Sequence, residues 1–181
     1  YGRNRWKFSN IYSLSIGQGE LLVSPIQMAN LAAIIANRGN YITPHIIKSV
    51  QKDSINFLEL KRESKETLIK KEYYNYVIDA MEEVVSSGSA RRAYTKNIKI
   101  CGKTSTVENP HGHDHSGFIG FAPKNEPKIA IAAYIENAGW GGRAAASISS
   151  LAIEYYLNKE IKRKWLESYV LKGEFIDYET E

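Results

Sequence analysis

The chain has 181 residues, 43% of them hydrophobic and 24% charged, with a net charge of +4. A domain of that size buries most of an ordinary core, and the small basic excess is scattered among acids, which argues against a nucleic-acid or membrane-surface partner. The longest apolar run, Met28–Ala36, is too short to span a bilayer, and the single cysteine, Cys101, excludes an internal disulfide.

The chain opens on Tyr1 with no visible signal peptide, as a piece of a longer protein would. Residues 1–15 are aromatic and polar without a clear period, and Ser15–Glu20 is prone to turn. A helix follows. Ser24 suits its N-cap, Pro25 its first position and Gln27 a capping box, while Gly39 ends it. Its nearly continuous apolar face predicts burial on most sides. Residues 41–50 read as extended and 51–70 as a polar surface excursion. A second helix, about 72–87, stacks Tyr73, Val77, Ala80, Met81 and Val84, and ends at Gly88. Three strands come next, near 98–107, 117–122 and 128–136. The last is apolar on both faces, with Ile129, Ile131, Ala133 and Ile135 opposite Ala130, Ala132 and Tyr134. Such a strand is covered on both sides, and the short Pro123–Pro127 connection requires antiparallel pairing. Asn137–Gly142 is a loop expected to turn around a packed Trp140. A third helix, about 143–158, points Ile148, Leu151, Ala152 and Tyr155 inward. The fold class is therefore α/β, an antiparallel sheet between helices, with residues 159–181 as a C-terminal extension.

Lys103-Thr104-Ser105-Thr106 carries the sharpest chemistry. A cation, two hydroxyls at period-two spacing and strand N–H groups suit a substrate carboxylate and a developing oxyanion. His111, His113 and His115, with Asp114, offer donors for zinc or nickel. Gly112 and crowding keep the rings from converging, so no metal is expected and the loop reads as mobile and polar. The Gly-rich Asn137–Arg143 segment fits neither dinucleotide-binding nor Walker patterns. Cys101 is a small strand residue whose thiolate a neighbouring Lys103 would favour.

In combination, several segments resemble the last half of a penicillin-binding transpeptidase domain: Ser15-Ile16-Gly17-Gln18-Gly19-Glu20, Ser24-Pro25-Ile26-Gln27-Met28-Ala29, Ala36-Asn37-Arg38-Gly39, Tyr41-Ile42-Thr43-Pro44-His45 and Gly102-Lys103-Thr104-Ser105-Thr106. Asn109-Pro110-His111-Gly112 and Phe118-Ile119-Gly120-Phe121-Ala122-Pro123 are similar to elongation-type class B members, the penicillin-binding protein 2 group. The resemblance covers most of residues 1–158. It implies an αβα sandwich of the transpeptidase and β-lactamase type that lacks its N-terminal half, and a serine D,D-transpeptidase acting on peptidoglycan stem peptides and acylated by β-lactam antibiotics. By motif position, Lys103 and Thr106 are catalytic. Lys103 supplies positive charge and steers protons, and the Thr106 N–H is one oxyanion donor. Thr104, Ser105 and Thr106 line the substrate, with the threonine hydroxyls on its carboxylate. The resemblance also implies no cofactor, a membrane-anchored parent acting outside the cytoplasmic membrane, and cell-elongation membrane proteins as partners.

Two departures stand out. The family's nucleophilic Ser with its Lys, and its Ser-x-Asn motif, precede the Gly-Gln-Gly segment. Here the literal matches, Ser49-Val50-Gln51-Lys52 and Ser54-Ile55-Asn56, follow it and are rejected, because in an extended segment residues three apart face opposite ways. Second, Ser105 replaces the family's glycine, where a bare backbone lets substrate lie close. A non-catalytic module that holds peptidoglycan or β-lactam, or a metal-binding protein built on the three histidines, are the alternative readings.

Overall fold

Three antiparallel strands, β5 (Cys101–Val107), β6 (His115–Ala122) and β7 (Ile129–Ile135), form the central sheet in the order β5-β6-β7. The computed structural model describes residues 6–19, 21–47, 49–51 and 57–176. Ahead of the sheet come α1 (Phe8–Ser15), α2 (Pro25–Ala36), two small hairpin-like pairs and α3 (Lys71–Ser86). The pairs join β1 (Asn40–Tyr41) to β4 (Lys65–Glu66) and β2 (Ser49–Gln51) to β3 (Phe57–Glu59). After the sheet come α4 (Ala145–Asn158) and α5 (Lys164–Lys172).

Alternation along the strands splits the core into two layers. One face sends Cys101, Phe121 and Ala130 against Ala36 of α2 and Tyr74, Ile78 and Met81 of α3. The other sends Phe118, Ala122 and the Ile129–Ile135 isoleucines against Ala145, Ala146 and Ile153 of α4, closed by Ala90, Ala93, Ile98 and Ile100. Phe118 and Phe121, three apart on β6, anchor opposite layers. Each is essentially fully buried and contributes about 1.5–3 kcal/mol of hydrophobic stabilisation. This is the αβα arrangement expected from a β7 that is apolar on both faces.

The cap of α2 forms as its sequence dictates. Ser24 accepts from the Gln27 backbone, and Gln27 Oε1 accepts from the Ser24 N–H at 2.8 Å. Its expected burial on most sides does not hold. Ala32 and Ala36 are buried, whereas Ile26 and Leu31 are exposed, because the sheet meets only one side of the helix, toward its C-terminal end.

Other details also differ from expectation. Residues 8–15 form a helix, and the polar 51–70 excursion contains strands. The buried stripe of α3 is Tyr74, Ile78, Met81 and Val85, with Tyr73 and Val77 exposed. On α4, Ala152 and Tyr155 face solvent and Ile148 is half-buried. The helix packs Ala145, Ala146 and Ile153 into the sheet-side core, and Leu151, as expected, is buried together with Ser147, Ser149 and Ser150.

Residues 159–176 pack onto α4. Leu166 is fully buried, and the Arg163 guanidinium donates to Glu154 Oε2 (2.9 Å), Ser150 O (2.9 Å) and the carbonyls of residues 92–94. Among the described residues no helix is long and apolar enough to cross a membrane.

Candidate functional site

Among the described residues β5 is an edge strand, paired with β6 on one side and open on the other. Its alternation places Lys103 and Ser105 on the face shared with Cys101, and Thr104 and Thr106 on the α4 face, in register with Phe118 and Ser116. All four therefore border the open edge, from its two sides. Lys103 is exposed, and its Nζ bends back to donate to Thr104 O at 2.8 Å.

The threonine hydroxyls are positioned by neighbours that motif reading does not identify. Thr104 Oγ1 shares a 2.8 Å hydrogen bond with Ser89 Oγ, from the turn after α3. Thr106 Oγ1 accepts from the Gly141 N–H at 3.3 Å. Ser116 fixes that loop in turn: its hydroxyl donates to Trp140 O and accepts from the Ala145 N–H at the start of α4. Ser89, adjoining a helix-ending glycine, carries no signal of its own. Gly141 lies in a glycine-rich stretch, but only a close approach makes it informative. A Cβ there would stand 2.3 Å from Ser105 O and 2.5 Å from Gly117 O. The loop thus lies directly on the strand backbone. Trp140, expected to pack, is two-thirds exposed instead.

The edge itself is legible from one long-range contact. Gln18, held between Gly17 and Gly19 at positive φ, sends Nε2 to Thr106 O at 3.5 Å. In an antiparallel ladder the N–H and C=O of one residue point the same way. A Thr106 carbonyl met from outside the sheet means that its N–H also faces outward. Thr106 thus presents a donor and an acceptor, the pair that an extended peptide needs to add as a strand.

The histidine loop is held by a set of hydrogen bonds. Asn109 Nδ2 donates to Asn137 Oδ1 (2.7 Å) and His113 O (3.3 Å), its backbone N–H reaches Asp114 Oδ1, and the Gly139 N–H reaches Asp114 O. His115 Nδ1 accepts from the Asn137 N–H at 3.0 Å while its ring leans on Tyr134. Among the described residues no three His, Cys, Asp or Glu side chains converge to hold a metal ion.

Cys101 is fully buried, and burial, with Glu82 nearby, pushes its thiol up to about 12, so the expectation of a favoured thiolate fails. Ser49 to Gln51 form a strand, as the rejection of Ser49 with Lys52 assumed. Lys52 and Ser54-Ile55-Asn56 lie outside the described residues.

Comparison with known proteins bears on the same strand. Residues 1–154 match the model of the penicillin binding protein transpeptidase domain. The chain is 30% identical to the peptidoglycan D,D-transpeptidase MrdA of Acinetobacter baumannii, over 86% of this chain and 25% of that protein. Among solved structures it resembles penicillin-binding protein A of M. tuberculosis in its imipenem acyl-enzyme complex. The TM-score is 0.72 at 26% identity, over 81% of this chain and 33% of that one. Penicillin-binding protein 2 of Pseudomonas aeruginosa gives a TM-score of 0.67 at 28% identity, over 88% and 36%. The chain thus spans about a quarter to a third of the relatives it matches.

Proposed function

Because the chain belongs to the penicillin-binding-protein transpeptidase family, we propose that it is the strand-bearing part of a serine-type peptidoglycan D,D-transpeptidase. One observation carries the reading: the outward N–H and C=O of Thr106 stand on an open strand edge beside an exposed lysine. An extended stem peptide ending in a carboxylate meets a strand partner, a cation and two hydroxyls there.

The nucleophilic serine belongs to a part of the domain outside these residues. It attacks the carbonyl of the penultimate D-alanine and displaces the terminal one. The amine of a second stem peptide then attacks the acyl-enzyme ester, an amide bond forms as the ester bond breaks, and the serine hydroxyl is restored. The Thr106 N–H is one of two donors to the oxyanion, Lys103 supplies charge and steers protons, and Thr104 and Thr106 hold the carboxylate. The substrate peptide displaces Gln18 from Thr106 O. β-Lactams enter by the same geometry and remain as acyl groups.

The exposed Phe8, Ile11, Leu22, Val23 and Ile26 support a domain completed elsewhere, since so much apolar surface is rarely left to water. The parent acts outside the cytoplasmic membrane, anchored by a segment outside this chain, with cell-elongation membrane proteins as partners. No cofactor enters the chemistry.

The test is acylation of the full-length protein by a fluorescent penicillin. Lys103→Ala should slow it by about 100-fold or more, the scale for losing one preorganised electrostatic group. Acylation at the unmodified rate would overturn the role given to Lys103.

A further inference from the structure

Ser105 stands where a side chain threatens to crowd a bound peptide, and its hydroxyl has found a specific resting place. Ser105 and Gly117 are directly opposed across β5 and β6. A Cβ built on Gly117 would lie 2.0 Å from Ser105 Oγ and 3.4 Å from Ser105 Cβ. No bonded contact is that long and no packed one that short. The hydroxyl therefore occupies the volume that any side chain at 117 would fill, laid flat over the inner strand and turned away from the open edge. The rung cannot retreat from a clash either. On the opposite face Gly141 rests against the carbonyls of both Ser105 and Gly117, close enough that it has no room for a Cβ itself.

We propose that Ser105 and Gly117 act as one specificity-determining pair: the bare backbone at Gly117 parks the Ser105 hydroxyl across the sheet and keeps the Thr106 edge as open to a peptide or β-lactam as a glycine at 105 would. A side chain at 117 forces Ser105 into another staggered rotamer, along the strand or toward the edge. The proposal rests on the transpeptidase reading for its consequence, but not for its steric half.

Both halves are read on Ser105→Gly, Gly117→Ala and the double variant. In the full-length protein, Gly117→Ala should lower the second-order rate of penicillin acylation about tenfold, the effect of roughly one lost hydrogen bond or a comparable steric penalty. With glycine at 105 the Gly117→Ala defect should disappear, so that the double variant acylates at the rate of Ser105→Gly alone. A Gly117→Ala defect that persists with glycine at 105, or no defect at all, would overturn the specificity role. Melting temperatures of the same variants give the steric half separately. Gly117→Ala should melt several degrees lower, and Ser105→Gly should cancel most of that loss. Additive melting shifts would refute the pairing even where acylation changes. If the unmodified protein takes no penicillin, the transpeptidase reading and the specificity role fail together, while coupled melting would still establish the steric pair.

Discussion

Single residues here do work that their neighbours decide. Lys124 follows the strand-ending Pro123 and is a surface lysine by sequence, yet it binds Asp79 Oδ1 at 2.7 Å and Glu82 Oε2, tying β6 to α3. Lys99 adds a second bond to Glu82 at 3.3 Å. The hydrogen bond from Lys124 chiefly, with Lys99, holds the Glu82 carboxyl below its usual 4.5 despite burial, and Asp79 and then Glu82 raise Lys124. The signs follow from linkage. A depressed carboxyl stabilises the fold above 4.5 and loses that contribution as pH falls through its folded value; a raised lysine stabilises below 10.5 and loses its share as pH climbs past its folded value. Urea midpoints should therefore be flat from about pH 4.5 to 9 and fall below that range as Glu82 protonates. Above it they fall as well, first because the buried Cys101 thiol, raised to about 12, resists the ionisation that the unfolded chain undergoes, and then with Lys124. Lys124→Met should lower the plateau and flatten the acid limb. An acid limb unchanged in Lys124→Met would remove Glu82 from the explanation.

At the scale of elements, the sequence carried periods and caps better than faces. The Ser24–Gln27 box and the antiparallel β7 follow from local chemistry and connection length, so they were readable. The buried side of α3 was not. The expected stripe Tyr73, Val77, Ala80, Met81 and Val84 and the observed one, Tyr74, Ile78, Met81 and Val85, both run at helical spacing and share Met81; only the sheet behind them, through Cys101 and Phe121, selects the second. On α4 the failure has a different cause. Counting apolar residues favoured Ile148, Leu151, Ala152 and Tyr155, of which only Leu151 is buried; beside it and Ile153 the helix buries alanines and serines, two of whose hydroxyls return to backbone carbonyls, Ser147 to Arg143 O and Ser150 to Ser147 O. The same helix buries Glu154, and Arg163 satisfies it from the next element. Glu154→Ala leaves that guanidinium buried without its carboxylate and should cost about 3–5 kcal/mol. Glu154→Gln, which keeps an acceptor, should cost less. Chemical denaturation checks both, and a loss below about 1 kcal/mol for Glu154→Ala would mean that the backbone carbonyls alone suffice for Arg163.

For the whole molecule, the site was legible as a strand motif but not as a surface. Period-two spacing relates Thr104 to Thr106 with Lys103 beside them, and the family resemblance proposes their roles, yet Ser89, Gly141 and Gln18 reach them only through the tertiary fold. One edge of the sheet gathers the groups that would hold a peptide, and a large apolar surface on α1 and α2 stands away from any cover among the described residues. In the proposed division of labour this chain would bind the peptide, and the nucleophile would come from outside it. Intact-mass spectrometry after long incubation with a penicillin, run on the 181-residue chain and on the full-length protein side by side, tests this most directly. The full-length protein should gain the mass of the drug at a serine outside residues 1–181, and the chain alone should gain nothing. A drug-sized increase on the chain alone, mapped to Ser49 or any other of its serines, would contradict it.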